Sequence, residues 1–172
     1  MFIVLGAVLV AITAVLSIAA TRPPRFRVDR SITIGARPDR VLGLIENLRA
    51  WPSWSAEKED PTATRAYNEV ARGVGATCEW TSRGSAGNGR MEIVEASRQR
   101  VSVRVDWRRP FVATNVNDFT LAPSGDATLV TWTLDGENIY VLKLMTLFVG
   151  ADRLMGSHLE RGLAALKRAC ET

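Results

Sequence analysis

The chain has 172 residues, with 22 basic and 18 acidic side chains and a net charge of +4, enough for one ordinary domain with a single core. A hydrophobic fraction of 47% argues against a disordered chain, and two cysteines argue against a disulfide framework. The positive charge is modest and unclustered, which leaves nucleic-acid binding little electrostatic support.

In chain order, the first element is an apolar run from Met1 to Ala20 with no charged side chain, followed by Arg22, Arg25, Arg27 and Arg30. About 20 apolar residues in a helix cross a hydrocarbon core of about 30 Å. The run is therefore expected to be a transmembrane helix over 1–21, with 22–26 as a short Pro-rich linker and 27–170 as the folded domain. Two other readings stand beside it. Ser17-Ile18-Ala19 could serve as a signal-peptidase site, although no Lys or Arg precedes the run and it exceeds an ordinary signal core. A buried core helix is the third. With positive charge on the C-terminal flank, the positive-inside rule predicts a single-pass inner (plasma) membrane protein with its C-terminal domain in the cytoplasm.

Phe26, Val28, Ile32 and Ile34 alternate with polar positions and predict a strand. Pro38 suits the first turn of a helix whose apolar face is Val41, Leu42, Leu44 and Ile45. Trp51 and Trp54 flank Pro52, where that helix stops. Short strands follow over Thr64 to Asn68 and Ala76 to Ser82, then a glycine-marked hairpin at Gly84, Gly87 and Gly89. Met91 and Ile93 share a face of the next strand. Val101, Val103, Val105 and Trp107 alternate with Ser102, Arg104, Asp106 and Arg108, a strand with one buried and one wet face. A strand to Leu121, a turn at Ser124-Gly125-Asp126 and a strand through Val130, Trp132 and Leu134 complete the sheet. From Ile139 to Ala169 the apolar spacing becomes helical, predicting one long final helix. The fold class is α+β: about six or seven curved antiparallel strands around a long C-terminal helix, plus the N-terminal helix.

At this point the chain resembles the START-like superfamily, also called the SRPBCC or polyketide cyclase/dehydrase group. Arg30-Ser31-Ile32-Thr33-Ile34 with Pro38-Asp39-Arg40-Val41 is similar to its opening strand-to-helix step, and Trp51-Pro52-Ser53-Trp54 to its tryptophan-rich segment. Gly73-Val74-Gly75, Glu79-Trp80 and Gly89-Arg90-Met91-Glu92-Ile93 resemble its central hairpin, and Phe119-Thr120-Leu121 with Val130-Thr131-Trp132 its last strands. The resemblance implies a helix-grip fold enclosing an apolar cavity. Its members bind lipids, sterols or polyketides, and a minority are enzymes.

Within such a cavity, Trp80, Met91, Trp107 and Trp132 are expected on the sheet wall, and Met145 and Val149 on the helix. Trp54, in an irregular Pro-containing loop, is expected at the mouth. Asn115 and Asn117 share the parity of Phe119 and Leu121 and either orient a polar end of the ligand or, if a bulge breaks the parity, face solvent. Arg30 either sits at the rim or holds a carboxylate inside. The same parity sends Glu79, Glu92, Asp106 and Asp118 to solvent, so no inward carboxylate pair is placed for acid/base work. His158 has no partner at metal spacing and is expected on the helix surface or cavity rim. Gly73-x-Gly75 and Gly87-x-Gly89 lie between strands and open no helix, so no phosphate-binding loop and no cofactor are expected. Binding an apolar or amphipathic small molecule (lipid, isoprenoid or polyketide-like) at a membrane is the leading expectation. The alternatives are a cyclase/dehydrase-type enzyme using the same cavity and a ligand-free interaction module.

Overall fold

The computed structural model describes residues 2–55, 60, 62–84 and 86–172, with side chains at all of these except 2, 3, 148, 149 and 151. Seven strands form one antiparallel sheet in the order β1-β7-β6-β5-β4-β3-β2. They are β1 (Arg25–Ile34), β2 (Thr64–Tyr67), β3 (Thr77–Thr81), β4 (Asn88–Ala96), β5 (Arg100–Arg109), β6 (Ala113–Ser124) and β7 (Ala127–Glu137). Helix α1 (Phe2–Ala20) precedes the sheet. Helix α2 (Pro38–Ile45) and a 3-10 turn (Trp51–Ser53) link the two edge strands, and α3 (Tyr140–Val149) and α4 (Ala151–Glu171) end the chain. This is the helix-grip arrangement: a curved antiparallel sheet with a C-terminal helix across it.

The core follows from two periodicities. On the sheet, Met91, Ile93, Val101, Val103, Val105, Phe119, Leu121, Val130, Trp132 and Leu134 are buried, as period-two alternation requires of a half-wet sheet. On α4, Leu159, Leu163, Leu166 and Cys170 are buried at helical spacing and face the strands. Gly162 permits the close approach, because a Cβ there would lie 2.4 Å from the Trp132 ring. The outer face of the sheet is polar, with Arg108–Glu79, Arg90–Glu92, Arg104–Asp106 and Arg100–Asp118 ion pairs. The four carboxylates expected to face solvent therefore lie on that face, each beside an arginine.

The single long final helix predicted from residue 139 onward is two helices. Gly150 sits at φ 78°, ψ 143°, a conformation reserved for glycine, and it ends α3 and starts α4 in a new direction. Both ends of α4 are pinned to β1. Near its start Arg30 donates from Nε to Glu160 (2.7 Å) and from both terminal nitrogens to Asp152 (2.9 Å each). At its end Glu171 accepts from the Gly35 N–H (2.6 Å) and from Lys167 Nζ (2.7 Å), which also donates to the Thr33 carbonyl (2.8 Å). Arg30 thus holds carboxylates of α4 rather than one inside a cavity.

α1 is apolar on every face, yet Val4, Leu9 and Val10 are 66–70% exposed. It touches the domain at α3, where Tyr140 Oη donates to the Leu16 carbonyl (3.0 Å). Nearby, Asn138 donates to the carbonyls of Pro23 and Pro24. Among the described residues, whose side chains begin at residue 4, no helix is long and apolar enough to cross a membrane. The expected spanning helix is corrected to that extent, because the apolar side chains described fall short of the length a bilayer core requires.

Candidate functional site

Where α4 meets the sheet through Leu159, Leu163 and Leu166 the core is filled. Toward the start of α4 it opens into a cavity of about 460 Å³. Its sheet wall is Met91, Val105, Trp107, Asn115, Asn117, Trp132 and Leu134. Leu142 and Met145 of α3 and Leu154, Met155 and His158 of α4 form the opposite wall. Phe26 of β1, Trp51 and Ser55 of the 3-10 segment, and Pro110 and Phe111 of the β5–β6 turn close it. Met145 is 51% exposed, and Phe111 and Tyr140 are exposed too, so the mouth lies between α3 and that turn.

Of the side chains expected to line a cavity, Met91, Trp107, Trp132, Asn115, Asn117 and Met145 do so. Two do not. Trp54 is 1% exposed and sits in the solid core, edge-on to Phe119 and Trp132 at 6.2 and 6.4 Å. The 3-10 turn explains this: it folds the Pro52 segment against the sheet, driving Trp54 inward and leaving Trp51 to line the cavity. Trp51 anchors there by donating its indole N–H to the Ile45 carbonyl (2.8 Å). Trp80 is buried but lies behind the wall, edge-on to Trp107 at 5.0 Å. Its indole is held by the Ala86 carbonyl (2.9 Å) and lies across Gly89, where a Cβ would meet the ring at 2.3 Å. The side chain of Val149 lies outside the described residues.

The polar lining is sparse, and two of its members, Asn117 and His158, meet Trp132. The indole N–H can only donate, so the atom it meets at 2.9 Å is Asn117 Oδ1. Asn117 Nδ2 then donates to Asn115 Oδ1 (3.3 Å). This relay fixes both amides and leaves the Asn115 Nδ2 group as its outer donor. Unbroken pairing of β6 with β5 and β7 through these positions keeps both asparagines on the inner face, without the bulge that would expose them. His158 packs against the Trp132 ring at 5.9 Å. Burial, reinforced by the charge of Arg161, pulls its imidazole pKa below the usual range. None of the described hydrogen bonds uses its ring nitrogens. Ser55, 7% exposed, has a buried hydroxyl with no partner among the described residues.

Sequence reasoning placed His158 on the helix surface or cavity rim, and it lies half-buried in the cavity lining; Ser55 was missed. Leu154, Met155 and His158 occupy one face at i, i+1 and i+4, the signal that could have placed the histidine inside. Among the described residues no group of three His, Cys, Asp or Glu side chains could hold a metal ion.

The profile of a family described as polyketide cyclase / dehydrase and lipid transport matches residues 25–171. The chain belongs to that family. No curated protein gives a match. Among solved structures, the polyketide cyclase / dehydrase and lipid transport fold seen here is similar to protein CV1439 from Chromobacterium violaceum. That likeness has a TM-score of 0.59 and 16% identity, over 88% of this chain and 99% of that one. It is also similar to a hypothetical protein from Helicobacter pylori, with a TM-score of 0.63 and 10% identity, over 84% and 88% of the two chains. A third is the di-domain aromatase/cyclase StfQ of the steffimycin biosynthetic pathway, with a TM-score of 0.62 and 8% identity, over 86% of this chain and 51% of that one. At these identities the likeness establishes the fold.

Proposed function

We propose that this polyketide cyclase / dehydrase and lipid transport domain binds an apolar or amphipathic small molecule in the cavity beside α3, while α1 holds it at a bilayer. The observation that carries the reading is the cavity itself. About 460 Å³ of concave space lined mostly by aromatic and aliphatic side chains is what a drug-sized apolar ligand requires. Met91, Trp107, Trp132 and Met145 would contact its body, and Asn115 and Asn117 its polar end.

Membrane attachment rests on α1. A helix apolar on all faces is stable only inside a core or a bilayer, and α1 lies outside the core with its side chains exposed. With residues 1–3 included, the run reaches the length of a span. The Tyr140–Leu16 contact places the α3 side of the cavity mouth beside this helix, so a bilayer holding α1 would adjoin the entrance. Orientation rests on fewer charges than the sequence suggests, because Arg25 and Arg30 are engaged by Asp135 and by Asp152 with Glu160. A cytoplasmic domain on a single-pass inner-membrane helix remains the reading that the arginine flank supports.

Native mass spectrometry of the full chain released from detergent tests the binding function. A co-purified apolar molecule is expected, and a protein that stays empty after exposure to fatty alcohols, isoprenoids and aromatic polyketides would overturn it. A reporter fused after Thr172 tests the placement; activity on the periplasmic side would reverse it.

A second reading has one observation in its favour. His158 is a titratable group in the cavity wall whose pKa burial lowers, which favours the neutral imidazole that a general base requires. A cyclase/dehydrase-type reaction would use it. Turnover of a poly-β-keto thioester by the wild type and its loss in His158→Gln would favour this reading over binding alone.

A further inference from the structure

We infer that the cavity selects an uncharged ligand bearing a carbonyl or hydroxyl oxygen on an apolar body, and that Asn115, Ser55 and His158 recognise that oxygen. This rests on the reading of the cavity as a ligand site and names the ligand's polar chemistry.

Three observations carry it. The indole of Trp132 consumes Asn117 Oδ1, and Asn117 Nδ2 consumes Asn115 Oδ1. The relay therefore ends on Asn115 Nδ2, an amide donor on the cavity wall with no described acceptor. A ligand oxygen would supply the missing acceptor. Second, Ser55 keeps a buried hydroxyl without a partner among the described residues, in the same lining. An unpaired buried hydroxyl is costly unless something occupies the space beside it. Ser55 follows Trp54, whose ring meets Trp132 edge-on, and His158 meets the same Trp132 ring. Asn117 and His158 thus both meet the Trp132 indole, and Asn115 and Ser55 belong to the same lining.

Third, among the described residues the lining contains no Lys or Arg, and its one carboxylate there is Glu137, an exposed residue. A ligand carboxylate would shed its hydration without a cation to replace it and would pass Glu137 on entry, both unfavourable. Neutral His158 can donate or accept but supplies no positive charge. A fatty acid is therefore a poor match, while a phenol, ketone or long-chain alcohol is a good one.

The test uses the full chain in detergent and three probes on one ring system: 2-naphthol, naphthalene and 2-naphthoate, followed by quenching of tryptophan fluorescence. Probe partition into micelles cancels when the naphthol-to-naphthalene affinity ratio is compared between wild type and variant. Replacing Asn115 and Ser55 together with alanine should lower that ratio about tenfold, while naphthalene affinity holds. Ser55→Ala alone, a change of one buried atom, should lower it by about threefold and guards against misfolding of the double variant. Naphthoate should bind no better than naphthalene. An unchanged ratio in both variants, or naphthoate binding tightest, would overturn the inference and leave the cavity a ligand site. No quenching by any probe would bring down the ligand-site reading with it.

Discussion

The stretch of α4 from Leu159 onward and the region around α3 are both rich in apolar side chains, yet one is solid and the other hollow. In the solid part, Leu159, Leu163 and Leu166 belong to one core cluster with Ile34, Val41, Ile45 and Phe119, all with almost no exposure. In the hollow part, α3 presents Leu142 and Met145 to empty space and leaves Tyr140, Val141 and Met145 exposed. The difference comes from what faces each helix. Gly162 draws α4 onto Trp132, whereas α3 stands off the sheet and leans toward α1. Packing is thus concentrated along α4 from Leu159 onward, and the cavity opens where α3 and the start of α4 face the sheet.

The largest effect should come from truncating the solid part. Leu159→Ala should destabilise the domain by about 2–5 kcal/mol in a denaturant melt, the cost of a core cavity. Leu142→Ala on α3 should cost under about 1 kcal/mol, since it removes little buried contact. Equal losses would break the comparison, showing that α3 is part of the core after all.

An intermediate effect is expected from acid. Burial, with Arg161 adding to it, lowers the His158 pKa below its usual 6.5. Between the folded and unfolded values the unfolded chain holds the extra proton, so stability rises with pH across that window. The contribution is complete above the unfolded value and is lost progressively as pH falls below it. His158→Gln should flatten this part of the stability-against-pH curve measured by thermal melts. An unchanged slope would place the imidazole in water.

The smallest effect sharpens the contrast most. Ser55→Ala removes a buried hydroxyl that has no described partner, so thermal stability should hold or rise by up to about 1 kcal/mol. A clear loss of stability would mean that the hydroxyl is satisfied and belongs to the solid part.

The sheet was legible in the sequence because alternation is a local signal: Val101, Val103, Val105 and Trp107 declare their face without reference to anything distant. For the asparagines the same parity left two options, inward or exposed by a bulge, and the unbroken register of β6 decides it. The division of the final helix was not, because Gly150 interrupts an apolar pattern that reads equally well as continuous. Which tryptophan lines the cavity was also hidden. Trp51 and Trp54 differ by three positions, and only the turn around Pro52 decides which ring goes to the core. Trp80 shared the inward parity of the wall, but its depth behind Trp107 depends on the absent side chain at Gly89, a fact about packing rather than pattern. The membrane role expected of α1 rests on length and composition; the described residues show its exposure and its contact with α3, and among them no helix is long and apolar enough to cross a membrane.

Gly150 has a consequence for how such a chain diversifies. Because the joint separates α3 from α4, substitutions that reshape the wall above the cavity need not propagate along a continuous helix into the packed layer beneath. A lineage could re-tailor what it accepts by drifting at a few positions of α3 and the turn around Phe111, while the fold beneath stays under unchanged selection.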